Sequence, residues 1–144
     1  MKPFKTLTVE DNKTLLKFPA YISLFAANWN RNLDEVEKNS AIRFDYIKSF
    51  SYDPILAEFY KEADKVFKKD IEQLDKDLPK GKEGRDAAIK MELVALEKIV
   101  LKLGKEYASK MHESMKSFKE HVSKAHHNVL VDFVLPFPIP GLTD

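Results

Sequence analysis

The sequence predicts an all-α fold, a compact bundle of about five helices with an extended proline-rich C-terminal strap. Three observations predict it. Apolar residues recur at steps of three and four from Pro54 to Val129, short polar turns separate the periodic segments, and no strand alternation of useful length competes with them. The 144 residues, 44% of them hydrophobic, suffice for one sizeable core, so residues 1–144 read as a single helical domain.

The elements follow in order. Asp11 is placed to cap a short helix carrying Leu15, Leu16 and Phe18, and Pro19 predicts a break near Lys17. From Pro19 to Asn28 the face formed by Ile22, Phe25 and Ala26 is widened by Tyr21 and Leu24 until it is apolar almost all round. Such a helix belongs at the centre of a bundle. Asp34 and Glu37 match a reciprocal capping box, so a helix should start at Asp34, turn Val36, Ser40, Phe44 and Ile47 inward, and end near Ser49. In Ser51-Tyr52-Asp53-Pro54, Asp53 is a cap and Pro54 a first helical residue whose missing amide hydrogen does no harm.

A long helix then carries Ile55, Phe59, Ala63, Val66, Ile71, Leu74 and Leu78, widened by Phe67, until Pro79 to Gly84 break the pattern as a surface loop. The next buries Ile89, Leu93, Leu96, Val100 and Leu103, with Gly104 as its cap or a bend. The last presents Tyr107, Met111, Met115, Phe118, Val122, Ala125 and Val129.

Composition narrows the function. With 24 basic against 23 acidic residues the formal charge is +1, too small for the field on which nucleic-acid binding depends. There are no cysteines, which excludes disulfides, thiolate metal sites and cysteine nucleophiles and favours the cytoplasm. The apolar run Phe18 to Ala27 is preceded by Glu10 and Asp11 and contains Pro19, so it reads as a core helix and not a secretory signal. No run approaches the roughly eighteen apolar residues of a transmembrane segment.

Polar residues look arranged in one place, the stretch from Ala26 to Glu37. Asn28, Asn30, Asn32 and Asp34 alternate as oxygen ligands do in a calcium loop, but Leu33 stands where that loop needs glycine and Asn39 where it needs a bidentate glutamate. The same asparagines serve as helix terminators and turn residues, the preferred reading. Ile22-Ser23-Leu24-Phe25-Ala26-Ala27, a short polar loop and then Leu33-Asp34-Glu35-Val36-Glu37 resemble the TerB-like helical family, named for the tellurite-resistance protein TerB. The resemblance implies an all-helical domain, an association with stress-response or membrane-linked systems, and divalent-metal binding by loop carboxylates. Asn30-Arg31 stand where the family has Asp-Gly, so the metal ligands carried over are Asp34, Glu35 and Glu37, with Asn30 as a further oxygen.

Other chemistry is sparse. His112, His121, His126 and His127 include no pair at three- or four-residue spacing and no Glu-x-x-His motif, and read as solvated or partly buried. Nucleophile motifs are absent. Phe44, Tyr46, Phe50, Tyr52, Phe59 and Tyr60 form either a seam between helices, which is preferred, or a groove for a peptide, lipid or partner helix. From Val129 to Pro140 the chain is apolar except for Asp132, and Pro136, Pro138 and Pro140 force an extended strap. It should close over the domain's own core, the alternatives being a partner, a second subunit or a membrane. Trp29, in a polar loop, and Phe137 and Ile139, in the strap, are the partner-binding candidates. The expected function is a non-enzymatic helical interaction or adaptor domain, with a protein partner or self-association and no obligatory cofactor. A divalent-metal-responsive domain using residues 28–37 is the alternative.

Overall fold

The computed structural model describes residues 4–29 and 46–125, and among them every regular element is helical. Helix α1 spans Val9–Leu16, and Thr8, not Asp11, caps it: the Thr8 hydroxyl accepts the Asp11 amide N–H at 3.0 Å. Asp11 instead lies in the first turn, where its charge suits the amide-rich end, and its carboxylate meets Lys102 Nζ at 2.9 Å. The break falls at Lys17 as the sequence predicts, and helix α2 spans Phe18–Trp29 with Pro19 in its first turn.

Every residue from Phe18 to Ala27 is buried, and α2 packs against α1 and the three long helices that follow. After residues 46–53, Asp53 caps a 3-10 turn, Pro54–Leu56, by accepting the Ile55 N–H at 3.0 Å. This turn leads into helix α3, Ala57–Asp77, whose buried stripe is Phe59, Tyr60, Ala63, Phe67, Ile71 and Leu74. Val66 is only partly buried.

Helix α4, Lys82–Val100, begins earlier than the loop Pro79 to Gly84 suggested, because Gly81 provides the cap and Gly84 is already helical. A Cβ at Gly84 would lie 3.3 Å from the Cβ of Pro79, so glycine there reflects close packing of the first turn on the loop and not a broken helix. The expected seam of Ile89, Leu93, Leu96, Val100 and Leu103 is buried throughout. A 3-10 turn, Leu101–Leu103, and Gly104 then lead to helix α5, Lys105–Ala125. Met111, Met115, Phe118 and Val122 are fully buried, whereas Tyr107 remains 39% exposed with its ring edge-on to Phe4.

Two polar clamps tie down chain segments that helical periodicity cannot hold. The buried Asn12 carboxamide accepts the Phe4 N–H at 3.1 Å and donates to the carbonyls of Phe4 at 3.0 Å and Thr8 at 3.0 Å, folding the N-terminal segment onto α1. Arg85, 1% exposed, donates to Asp75 Oδ1 at 2.6 Å and to the carbonyls of Asp75 and Pro79, each at 2.9 Å. One guanidinium fork thus closes the α3–α4 connection and meets the negative end of α3.

The helix expected from Asp34 and the proline-rich strap both lie outside the described residues. Gly104 adopts φ 87°, ψ 160°, a conformation open essentially to glycine alone. Nothing lies within 4 Å of a Cβ built there, so Gly104→Ala should cost about 1 to 3 kcal/mol through backbone strain, with no steric component. Urea denaturation would measure the loss.

A candidate binding cleft and a buried acid

Residues 46–53 lie across α5, and a histidine binds the start of the segment. His121 Nε2 is 3.1 Å from the Tyr46 carbonyl and 3.0 Å from Ser49 Oγ. A carbonyl only accepts, so Nε2 carries the proton and donates to Tyr46, while the Ser49 hydroxyl donates to the same carbonyl at 3.3 Å. The next contacts are aromatic. Phe50 packs edge-on to Phe118 at 5.1 Å and to Tyr60 at 5.4 Å, and Tyr52 stacks on Tyr60 at 4.7 Å with the planes 22° apart.

Between this segment and the start of α3 the surface opens into a cleft of about 570 Å³, lined by Ile47, Lys48, Phe50, Tyr52, Tyr60 and Lys61 among others. Its size falls within the roughly 300–1,000 Å³ of ligand-binding clefts. Tyr46, Phe50, Phe59 and Tyr60 are buried, whereas Tyr52 is half-buried and offers its ring to the cleft, and Phe44 lies outside the described residues. Exposed Lys48 and Lys61 and partly buried Asp64 complete the rim. On the other side of Phe50 and Tyr52 a smaller hollow of about 140 Å³ faces Asp53, Lys110 and Ser114.

Two ionisable groups next to Phe50 and Tyr52, those of Asp53 and Tyr60, are committed to the fold. The Ile55 amide and then Lys110, whose Nζ lies 3.2 Å from Oδ2, hold the Asp53 carboxyl below its usual range. Burial raises the Tyr60 phenol above its ordinary value, and its hydroxyl lies 2.5 Å from Ser114 Oγ. Tyr60→Phe should therefore cost about 1 kcal/mol for the lost hydrogen bond while the ring stack and cleft persist. Chemical denaturation and a crystal structure of the variant would test both.

Elsewhere the interior holds a carboxylic acid that the sequence patterns do not single out. Glu97 on α4 is 0% exposed, and neither carboxyl oxygen has a hydrogen-bond partner among the described residues. His112 Nδ1 on α5 is 3.6 Å from Glu97 Oε1, close enough for charge to matter but too long for a hydrogen bond. His112 is 4% exposed, which corrects the expectation of solvated or partly buried histidines. His121 is half-buried, as expected. Glu97 follows Leu96 among the buried residues of α4, and His112 reaches it from α5.

Desolvation raises the Glu97 carboxyl from its ordinary value of 4.5 to about 7. Below pH 4.5 the group is protonated in folded and unfolded chains alike, whereas between 4.5 and about 7 only the folded chain keeps the proton. Stability from this group is therefore fully present below pH 4.5 and lost as pH rises through about 7. Glu97→Gln, neutral at all pH values, should melt less steeply with pH than the parent and at a higher temperature at pH 8. Equal pH slopes for parent and variant in thermal melts would contradict this assignment.

The sequence-predicted site residues are placed as follows. Asn30, Asp34, Glu35 and Glu37 lie outside the described residues, as do Phe137 and Ile139. Trp29 closes α2, but its side chain is not among those described. Among the described residues no group of three or more His, Cys, Asp or Glu side chains is placed to hold a metal ion. No helix among them is long and apolar enough to cross a membrane.

No protein-family model, curated protein or solved structure matches this chain.

Proposed function

We propose that this chain is a non-enzymatic helical interaction domain of TerB-like type, and that the cleft between residues 47–52 and the start of α3 receives a short apolar segment of a protein partner. The cleft itself carries the reading. Its floor is a rigid aromatic stack, Tyr52 on Tyr60 at 4.7 Å, and its rim presents Lys48, Lys61 and Asp64. A flat ring fixed by a second ring offers contact area at little entropic cost, and the charged rim orients what binds.

Non-catalytic binding suits the chemistry of the walls. Burial holds the Tyr60 phenol neutral, so it is not poised for proton transfer near neutral pH. Glu97, which is so poised, does not line the cleft.

A photo-crosslinking residue at Lys61 in the expressed protein should capture another protein chain, and Tyr52→Ala should abolish the adduct without changing the melting temperature appreciably. The same residue at Met91, 73% exposed, serves as the comparison. Identical adducts from both positions would show that the cleft has no binding role.

A further inference from the structure

Each wall of the cleft carries one exposed cation, Lys48 on the segment before α3 and Lys61 on α3 itself. Neither ammonium has an ion pair or hydrogen bond among the described residues. Neighbouring lysines do have partners: Lys65 meets Glu62 at 2.9 Å and Lys110 meets Asp53 at 3.2 Å. The rest of the lining includes Ile47, Phe50, Ala57 and the half-buried ring of Tyr52, and the carboxylate of the cleft is that of Asp64, one helical turn beyond Lys61. Two cations against one carboxylate leave the lining net positive.

We propose that the partner segment received by this cleft is acidic, an aromatic side chain set against Tyr52 and flanked by carboxylates that meet Lys48 and Lys61. The inference rests on the cleft being a peptide-binding surface. In water the two ammonium groups are satisfied by hydration. A segment laid on the cleft removes part of that water, so a neutral segment leaves the cations without a counter-charge and a basic one sets like charge beside them. An acidic segment gains from the same desolvation, because opposite charges attract more strongly as the effective dielectric falls.

Lysine is a point charge on a flexible stem, so both cations can follow the carboxylate of either Asp or Glu. Asp64 opposes a further carboxylate at its end of the cleft and accepts an N–H or hydroxyl donor there, which gives the bound segment a direction. The same charge disfavours nucleic acid, which carries a phosphate at every nucleotide and would have to pass Asp64, and the formal charge of +1 over the whole chain supplies no supporting field.

Panning a random peptide library displayed on phage against the immobilised full chain tests the proposal. We expect the selected peptides to carry an aromatic residue between acidic ones and to be lost from the Tyr52→Ala chain. The Lys48→Glu, Lys61→Glu double variant should bind them at least about tenfold more weakly and should select basic flanks instead, whereas Lys48→Arg with Lys61→Arg should retain them. Both lysines are exposed, and the melting temperature of each variant checks that the helices are intact. Peptides that depend on Tyr52 but carry no acidic flank, or that bind the charge-reversed chain unchanged, would overturn the inference and keep the binding cleft. A selection that yields no peptide dependent on Tyr52 would defeat both. If in that case a single-stranded oligonucleotide bound the parent and not the charge-reversed chain, the cleft would belong to nucleic acid.

Discussion

The described fold is arranged around one buried stretch of helix. From Phe18 to Ala27 every residue of α2 is buried, so this stretch has no solvent face and the other helices must enclose it. Side chains such as Phe18, Ile22, Leu24 and Phe25 each contribute roughly 1.5 to 3 kcal/mol on full burial, before the entropy of ordering them is subtracted. The same burial forbids loose polar groups. The Ser23 hydroxyl donates to the Pro19 carbonyl one turn back at 2.8 Å. Proline itself is harmless in a first turn, where its amide hydrogen would have no helical acceptor. Tyr21 lies at the margin, where burial and then Glu92 raise its phenol above the ordinary value.

Enclosing a central helix requires sharp connections, and these are where polar side chains act. Asn12, Arg85 and Gly104 solve the same problem by different means. The carboxamide substitutes for missing backbone partners, the guanidinium gathers carbonyls at a helix end, and the glycine adopts a conformation closed to other residues. The His121 bond to the Tyr46 carbonyl belongs with them, because it presses residues 46–50 onto α5. That pressure brings Phe50 onto Phe118 and leaves Tyr52 projecting beside Tyr60. The cleft is formed where the segment packed on α5, residues 46–53, turns into the start of α3.

The buried acid and the cleft are opposite uses of polar groups. Around the cleft, Asp53 and Lys110 remain hydrated and satisfy each other at little cost. Glu97 has no such outlet. An ionised carboxylate without hydrogen bonds in an apolar interior is strongly disfavoured, so it holds its proton and shares the space with His112. The raised Glu97 carboxyl makes the α4–α5 interface sensitive to pH near neutrality.

Helical class, the break at Lys17, the buried centre, the Asp53 cap and the seams of α3 and α4 were legible in the sequence, because each depends on spacing or on residues within one turn. Thr8 took the cap expected of Asp11 because the helix begins one turn earlier, and Gly84 joined α4 because Pro79 fills the space beside it. Nothing in local pattern marks Arg85 as buried, Glu97 as protonated or Tyr52 as the accessible ring of an otherwise buried cluster. These depend on which residue stands across the interface: Asp75 for Arg85, His112 for Glu97, Tyr60 for Tyr52. Periodicity therefore determined which face of each helix turns inward. Burial, ionisation and the shape of the cleft were decided only when helices distant in sequence came within a few ångströms, since desolvation and Coulomb energy depend on separation in space and not along the chain.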